Sequence, residues 1–262
     1  MRVCNLGSGS DGNMTYVESA NAKILIDIGF CCTEVIKRLS LLNVSPEEID
    51  AILITHEHSD HIKGLDVFAS KYGTKIFAHQ KGIDAIKSKL KKAHKMHFIA
   101  FDDMFFYIKD LKIQSFALPH DSVYCCGYTI SENDKKMSIL TDCGVASQQI
   151  VENLKGSTLV YLESNHDETM LRNNINYPAT LKQRILGKKG HLSNISAGHI
   201  IEYLAQNGTK QVMLSHLSTE NNTPELAYNT ICEYLSSKNI TEGKNIRIST
   251  TSTLPSNVFR LN

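Results

Sequence analysis

Residues 55–61 read Thr55-His56-Glu57-His58-Ser59-Asp60-His61 and follow the apolar, β-prone run Ala51-Ile52-Leu53-Ile54. A strand that ends in three imidazoles and a carboxylate presents neutral nitrogen and anionic oxygen donors from a short, stiff piece of backbone, which suits a bound metal ion. In extended backbone, residues two apart point the same way, so His56 and His58 are placed to hold one ion. Asp60 and His61 fall where a helix begins, Asp being a favoured N-cap, and can serve a second ion beside the first. Paired ions in hydrolases stand about 3.5–4 Å apart, a span that one loop can feed. The competing explanations are a histidine-rich solvated loop and a zinc site that serves only folding. The order H-x-H-x-D-H directly after an apolar strand favours a working metal site over both.

The same device recurs further along the chain. Residues 112–118 read as a strand, and Pro119-His120-Asp121 follow it. Residues 125–131 and 136–141 read as the two strands of a hairpin, and the second ends in Asp142. The apolar run 212–215 ends in His216. Strands that repeatedly terminate in metal-type ligands predict that those ligands meet at one edge of a folded pair of sheets.

The rest of the chain predicts alternating strands and helices. A first strand over 3–6 runs into Gly7-Ser8-Gly9-Ser10-Asp11-Gly12-Asn13, whose glycines permit a tight turn and a close approach of backbone to a ligand. The loop lacks the spacing of a P-loop, so it is a turn first; Ser10 and Asn13 are its candidate phosphate contacts. A buried strand over 23–27 ends in Asp27, a carboxylate suited to buttress the histidine loop by accepting hydrogen bonds. Helices are expected over 33–42, over 45–48 with Ser45, Pro46 and Glu48 as capping signals, over 61–71, and over 80–92, with a strand at 75–78. The stretch 87–97 carries Lys87, Lys89, Lys91, Lys92 and Lys95 and no acid. It is either a solvated helix face or a nucleic-acid contact. Its His94 and His97 lack any strand-end placement and belong on the surface.

A strand over 159–162 ends in Glu163-Ser164-Asn165-His166-Asp167, and the later loop Gly187-Lys188-Lys189-Gly190-His191-Leu192-Ser193-Asn194 precedes a helix over 196–206. His166 is a candidate substrate contact, the alternative being a capped turn. His199 sits inside the helix and should pack. The closing segment predicts a helix over 223–237 and a strand over 246–249. No internal repeat, linker or low-complexity tract is visible, so one domain, 1–262, is expected.

Bulk properties exclude several classes. With 262 residues, 42% hydrophobic and 21% charged, the chain falls in the ordinary globular range. A formal charge of +1 gives no global field toward a polyanion, although a local patch remains open. No apolar run approaches the roughly 18 residues of a membrane span, and Met1-Arg2 leads straight into a strand, so a cytoplasmic protein without membrane insertion is expected. Seven cysteines, including the neighbours Cys31-Cys32 and Cys125-Cys126, form neither a disulfide framework nor a C-x-x-C pattern and should be reduced thiols. A homo-oligomer is open to the chain but not indicated by it.

Residue by residue, the pattern resembles the metallo-β-lactamase superfamily. His56, His58 and His120 match its first metal site, Asp60, His61 and His216 its second, and Asp142 its bridging carboxylate. The resemblance implies an α/β fold, a four-layer αββα sandwich of two mixed sheets packed face to face with helices outside. It also implies two divalent ions, Zn2+ or Mn2+, which activate water for hydrolysis, with Asp60 to orient that water. In the tRNase Z branch a strand-end Glu and a loop His cooperate near the leaving group, and Glu163 with His191 looks similar in position. His191 would then donate a proton while Glu163 raises its basicity; the alternative is that both are structural hydrogen bonders.

The loops Gly-Ser-Gly-Ser-Asp-Gly-Asn, His-Glu-His-Ser-Asp-His, Glu-Ser-Asn-His-Asp and Gly-His-Leu-Ser-Asn, with Ser-His-Leu-Ser-x-x-Asn-Asn at 215–222, are together similar to the WalJ/YycJ-type subgroup. That likeness implies a phosphodiesterase of the 5′ to 3′ exonuclease type acting on single-stranded or double-stranded DNA ends. The stretch 143–215 is too short for an inserted β-CASP domain, and no long Gly/Pro-rich arm is present, so substrate grip should come from Lys188, Lys189 and the lysine run. A lactone or thioester hydrolase would use the same ions without the lysines, and a regulatory protein with a vestigial site would not need the full ligand set.

Overall fold

Alternation along the strands decides the layering. The structure is a computed structural model that describes residues 1–261. The amino-terminal part comprises β1 (Arg2–Gly7), β2 (Met14–Glu18), β3 (Lys23–Ile26), α1 (Cys32–Ser40), β4 (Ala51–Leu53), α2 (Ser59–Ile62), α3 (Leu65–Tyr72), β5 (Lys75–His79), α4 (Ile83–Lys89) and β6 (Phe98–Phe101). Then come β7 (Phe106–Ile108), β8 (Leu111–Leu118), β9 (Cys125–Glu132), β10 (Lys135–Leu140), α5 (Gln148–Leu154), β11 (Leu159–Glu163), α6 (Glu168–Asn173) and α7 (Ala179–Leu186). The chain closes with α8 (Asn194–Gln206), β12 (Gln211–Ser215), α9 (Pro224–Ser237), β13 (Arg247–Thr250) and β14 (Phe259–Arg260). In β3 and β4, Leu25 and Ile52 join a core beneath the first helix layer, whereas Ile24, Ile26, Ala51 and Leu53 face a second core between the sheets. In β11 and β12, Val160, Leu162, Val212 and Leu214 pack under the other helix layer, while Leu159, Tyr161 and Met213 enter the central core. Strands covered on both faces read as continuous apolar runs, as these do. The result is the expected αββα sandwich.

Each sheet has seven strands, in the orders β14-β1-β2-β3-β4-β5-β6 and β13-β12-β11-β10-β9-β8-β7. The strands β3, β4, β5 and β6 are parallel, with β1 and β2 joining antiparallel beside β3. The strands β10, β11, β12 and β13 are likewise parallel, with β8 and β9 antiparallel beside β10. The order β1 to β6 is therefore repeated by β8 to β13, although the sequence itself shows no repeat. In open parallel sheets ligands gather beyond the carboxyl ends of the strands, and here two such edges face each other.

Two predicted helices differ in ways that matter for the site. The helix expected over 61–71 is broken into α2 and α3 at Gly64, whose N–H donates to the Ile28 carbonyl and where an added Cβ would come within 2.3 Å of the Phe30 carbonyl. Close packing of the histidine loop onto the chain after β3 imposes that break. The helix expected over 80–92 ends at Lys89, since Leu90 is extended at φ −105° and ψ 135°, so Lys91 and Lys92 leave the helix face. Strands β2, β6, β7 and β14 and helices α5 to α7 were not legible as elements. All seven cysteines are free thiols. Among the described residues no helix is long and apolar enough to cross a membrane.

Candidate metal centre

The histidine loop begins where β4 ends, and backbone on both sides fixes it. Thr55 N–H and its hydroxyl donate to the two carboxylate oxygens of Asp27, each at 2.9 Å, and His61 Nδ1 lies 2.7 Å from Asp27 Oδ2. A carboxylate accepts there, so Nδ1 carries the proton and Nε2 keeps its lone pair for the centre. Asp27 is thus the buttress expected from its strand-end position. Gly29 completes the support. Its N–H donates to the Asn13 carbonyl, and an added Cβ would stand 1.7 Å from the Asp60 carbonyl oxygen, so only glycine lets the two segments meet.

The donors from distant strands converge on this loop. Ring centres of His56 lie 4.5 Å from His58 and 5.1 Å from His120. His61 Nε2 is 3.3 Å from both Asp60 Oδ2 and Asp142 Oδ2, and His216 Nε2 is 3.8 Å from Asp60 Oδ2. Asp142 reaches the other histidine set too, at 3.6 Å from His120 Nε2. Ligand atoms of His56, His58 and His120 fall within 4.8 Å of one another, as do those of Asp60, His61 and His216, and those of His56, His61 and Asp142.

These residues fit metal ions on an observation independent of their type. His56 Nε2, His216 Nε2 and Asp142 Oδ2 are buried and have no hydrogen-bond partner. Leaving such atoms unpaired costs about 1–3 kcal/mol each, and all three belong to the donor sets. The backbone adds to the case. Asp27, Asp142 and His216 adopt φ of 59°, 61° and 56°, a left-handed conformation unusual for residues with a side chain, and each follows the end of a strand.

Charge divides the cluster. Burial, aided by the charge of His61, holds the His56 imidazole well below its ordinary pKa, and burial also lowers that of His120. For His61 burial acts in the same direction, but Asp27, Asp142 and Asp60 outweigh it and raise the pKa well above the usual value. His216 is raised likewise, against burial, chiefly by Asp142, by nearby Asp60 and by its hydrogen bond to Glu163. Burial pushes the Asp60 and Asp142 carboxyls up, yet their histidine neighbours hold both below the usual carboxylate range.

Glu163 is fully buried and saturated. Its carboxylate accepts from the N–H groups of Asp142, Cys143 and Leu192 at 3.2, 3.0 and 2.9 Å and lies 2.7 Å from His216 Nδ1 and 2.8 Å from His191 Nδ1. It therefore works as a support that fixes two imidazoles, and His191, 22% exposed, keeps Nε2 free of that carboxylate and lines a hollow.

The remaining sequence-predicted residues separate. Ser10 is exposed and lines a cavity shared with His191. Asn13 is buried and committed: its amide nitrogen lies 3.1 Å from the Gly9 carbonyl and 3.2 Å from Asp60 Oδ2, and its oxygen accepts from Gly9 N–H. The glycine loop thus props Asp60 rather than offering a phosphate seat through Asn13. His166, expected as a substrate contact, is only 1% exposed, and burial lowers its pKa to about 4. Lys188 and Lys189 are exposed but line neither hollow beside the donors.

A family profile described as a beta-lactamase superfamily domain matches residues 23–217. The chain is 38% identical over 255 residues to the protein named Exodeoxyribonuclease WalJ from Streptococcus pneumoniae serotype 2, covering 94% of this chain and 93% of that one. It is 35% identical over 252 residues to the one named Exodeoxyribonuclease YycJ from Bacillus anthracis, covering 93% and 92%. The chain belongs to the metallo-β-lactamase superfamily, in the WalJ/YycJ branch. Its fold is also that of the metallo-beta-lactamase fold protein YhfI from Bacillus subtilis, with a TM-score of 0.74 at 17% identity over 99% of both chains.

Proposed function

We propose that this chain is a dinuclear metal-dependent phosphodiesterase that removes nucleotides from DNA ends, in the 5′ to 3′ sense, and that residues 1–262 work as one domain. The observation that carries this reading is the pair of donor sets joined by Asp142, with His191 beside them on a buried carboxylate. The names of relatives similar over nearly their whole length support DNA as the substrate. His56, His58 and His120 would hold one ion, Asp60, His61 and His216 the other, and Asp142 would bridge them. Zn2+ or Mn2+ bound there supplies a Lewis acid and lowers the pKa of a water molecule toward neutrality.

The protein's own groups do the rest. Asp60 orients the attacking water while Asn13 holds the Asp60 carboxylate in place. As the water oxygen bonds to phosphorus and the bond from phosphorus to the sugar oxygen breaks, His191 Nε2 hands a proton to the departing oxygen. Glu163 keeps His191 in the tautomer and orientation for that transfer. The test is metal analysis of purified protein coupled to digestion of end-labelled DNA. Mononucleotide release from one end is expected, and His191→Ala should lower kcat by about 10²- to 10⁴-fold with metal content unchanged. Full turnover in that variant would remove the role given to His191. Hydrolysis of small esters with no action on DNA would replace the nuclease reading by that of a small-molecule hydrolase.

A further inference from the structure

Two hollows flank the donor cluster, and they differ in size and chemistry. The larger, of about 510 Å3, is lined by His58 and Asp60 together with Lys63, Lys89 and Lys91. The smaller, of about 160 Å3, is lined by His191, Tyr177, Leu181 and Ile185, with Asn165 and Ser218 as its polar wall. Arg184 lines both, so it stands where they meet. Its Nε donates to Asp121, which leaves the terminal nitrogens of the guanidinium without a protein partner among the described residues. The three lysines are exposed and make no ion pair among the described residues. The larger hollow also carries three acids, of which Glu57 accepts from Val123 N–H, Asp66 from Lys92 N–H, and Asp60 belongs to the donor cluster.

We infer that the two hollows receive the two sides of a cut strand: the retained run of phosphates lies in the lysine groove, and the single departing nucleotide sits in the small cavity beside His191. The inference deepens the nuclease reading and rests on it. A polyanion is held by cations in succession, and the larger hollow offers Lys63, Lys89, Lys91 and Arg184 in one lining. The departing sugar oxygen must lie where its proton donor is, and His191 opens into the smaller hollow only. At about 160 Å3 that hollow is below the roughly 300–1,000 Å3 of ordinary small-molecule pockets, which suits one base better than a longer run. Tyr177, Leu181 and Ile185 give it an apolar side against which a base can pack. Cutting at an end then follows from the shape of the molecule, and the strand track runs through Lys63, Lys89 and Lys91 rather than through Lys188 and Lys189.

The test uses the full-length metal-loaded protein and a labelled single-stranded oligonucleotide, with KM followed against salt. In the doubly substituted Lys89→Ala/Lys91→Ala protein the slope of log KM against log salt should flatten by about 1.4, the contribution of two phosphate contacts on a single strand. Tyr177→Ala should lower kcat/KM by about 5- to 150-fold, and that loss should vanish on a strand whose terminal nucleotide lacks its base. Thermal melting of each variant checks that it is folded. A slope that ignores Lys89→Ala/Lys91→Ala and moves instead with Lys188→Ala/Lys189→Ala would overturn the track, and a Tyr177→Ala loss that persists on the abasic end would overturn the base seat. Failure of the unsubstituted protein to release any nucleotide would overturn the nuclease reading beneath both.

Discussion

The amino-terminal half, β1 to β6, and the carboxy-terminal half, β8 to β13, share a strand order yet place the same residue in opposite service. Asp27 follows the third strand of one half and Asp142 the third strand of the other, both in left-handed backbone at φ 59° and 61°. Asp27 stands behind an imidazole, taking the Nδ1 side of His61 at 2.7 Å. Asp142 stands in front, 3.3 Å from the Nε2 side of the same ring. Their neighbours explain the difference. After Asp27 the chain is closed in by the histidine loop, since Ile28 N–H donates to the His61 carbonyl and Gly64 N–H to the Ile28 carbonyl. After Asp142 the neighbouring strand ends in Glu163, which takes the N–H groups of Asp142 and Cys143 and leaves Asp142 Oδ2 unpartnered. One carboxylate is therefore spent on orientation while the other is left available to the proposed ions. The same motif of sheet thus supplies both a proposed ligand and the support of one.

That contrast can be broken most forcefully at Asp142. If it bridges two ions, Asp142→Ala should weaken both sites by more than the roughly 10- to 100-fold that loss of an outer partner costs, and activity should fall with metal occupancy. Competition titration with a chromophoric chelator, read beside elemental analysis, measures it. Asp27→Asn should come second. An amide presents one oxygen where Asp27 presents two, so either the Thr55 N–H on one side, or the Thr55 hydroxyl and His61 on the other, would face an N–H group instead of an acceptor. Metal affinity should drop about 10- to 100-fold at the His61 site, with the site of His56, His58 and His120 retained. Equal losses in the two variants would show that front and back carboxylates are not functionally distinct.

How far the sequence announced this arrangement depends on the range of the interaction. The histidine loop was legible because strand, spacing and helix start all lie within a dozen residues, and Asp27, His120, Asp142 and His216 were legible because each ends an apolar run. The glycine loop was only partly legible. Its composition suggested phosphate contact at Ser10 or Asn13, but the Asn13 side chain is consumed by the Gly9 backbone and by the carboxylate of Asp60, forty-seven positions away. Gly29 and Gly64 carried no signal, because their need to be glycine comes from carbonyls that fold against them. The lysine run was visible as composition, yet which lysines border the donors depends on the helix stopping at Lys89. The repeated strand order left no trace, since packing between layers asks only for apolar alternation and many residues satisfy it.

The gentlest test of front against back lies one bond further out, at Thr55. Its hydroxyl donates to Asp27 Oδ2 at 2.9 Å and lies 3.0 Å from His56 Nδ1, so it touches the support of one proposed site and a ligand of the other. With its single hydrogen given to the carboxylate, the oxygen is free to accept from His56, which leaves His56 Nε2 for an ion. Thr55→Val keeps the shape and removes both bonds, at a cost of about 1 kcal/mol, which in a chain of this size lowers Tm by roughly 2–4 °C. Asp27 retains the Thr55 N–H and His61, so metal affinity should fall less than in Asp27→Asn. Calorimetric melting of the metal-loaded and metal-stripped variant separates the two contributions. A Tm loss present only in the loaded form would mean that Thr55 acts through ligand orientation, whereas an equal loss in both forms places it in the fold.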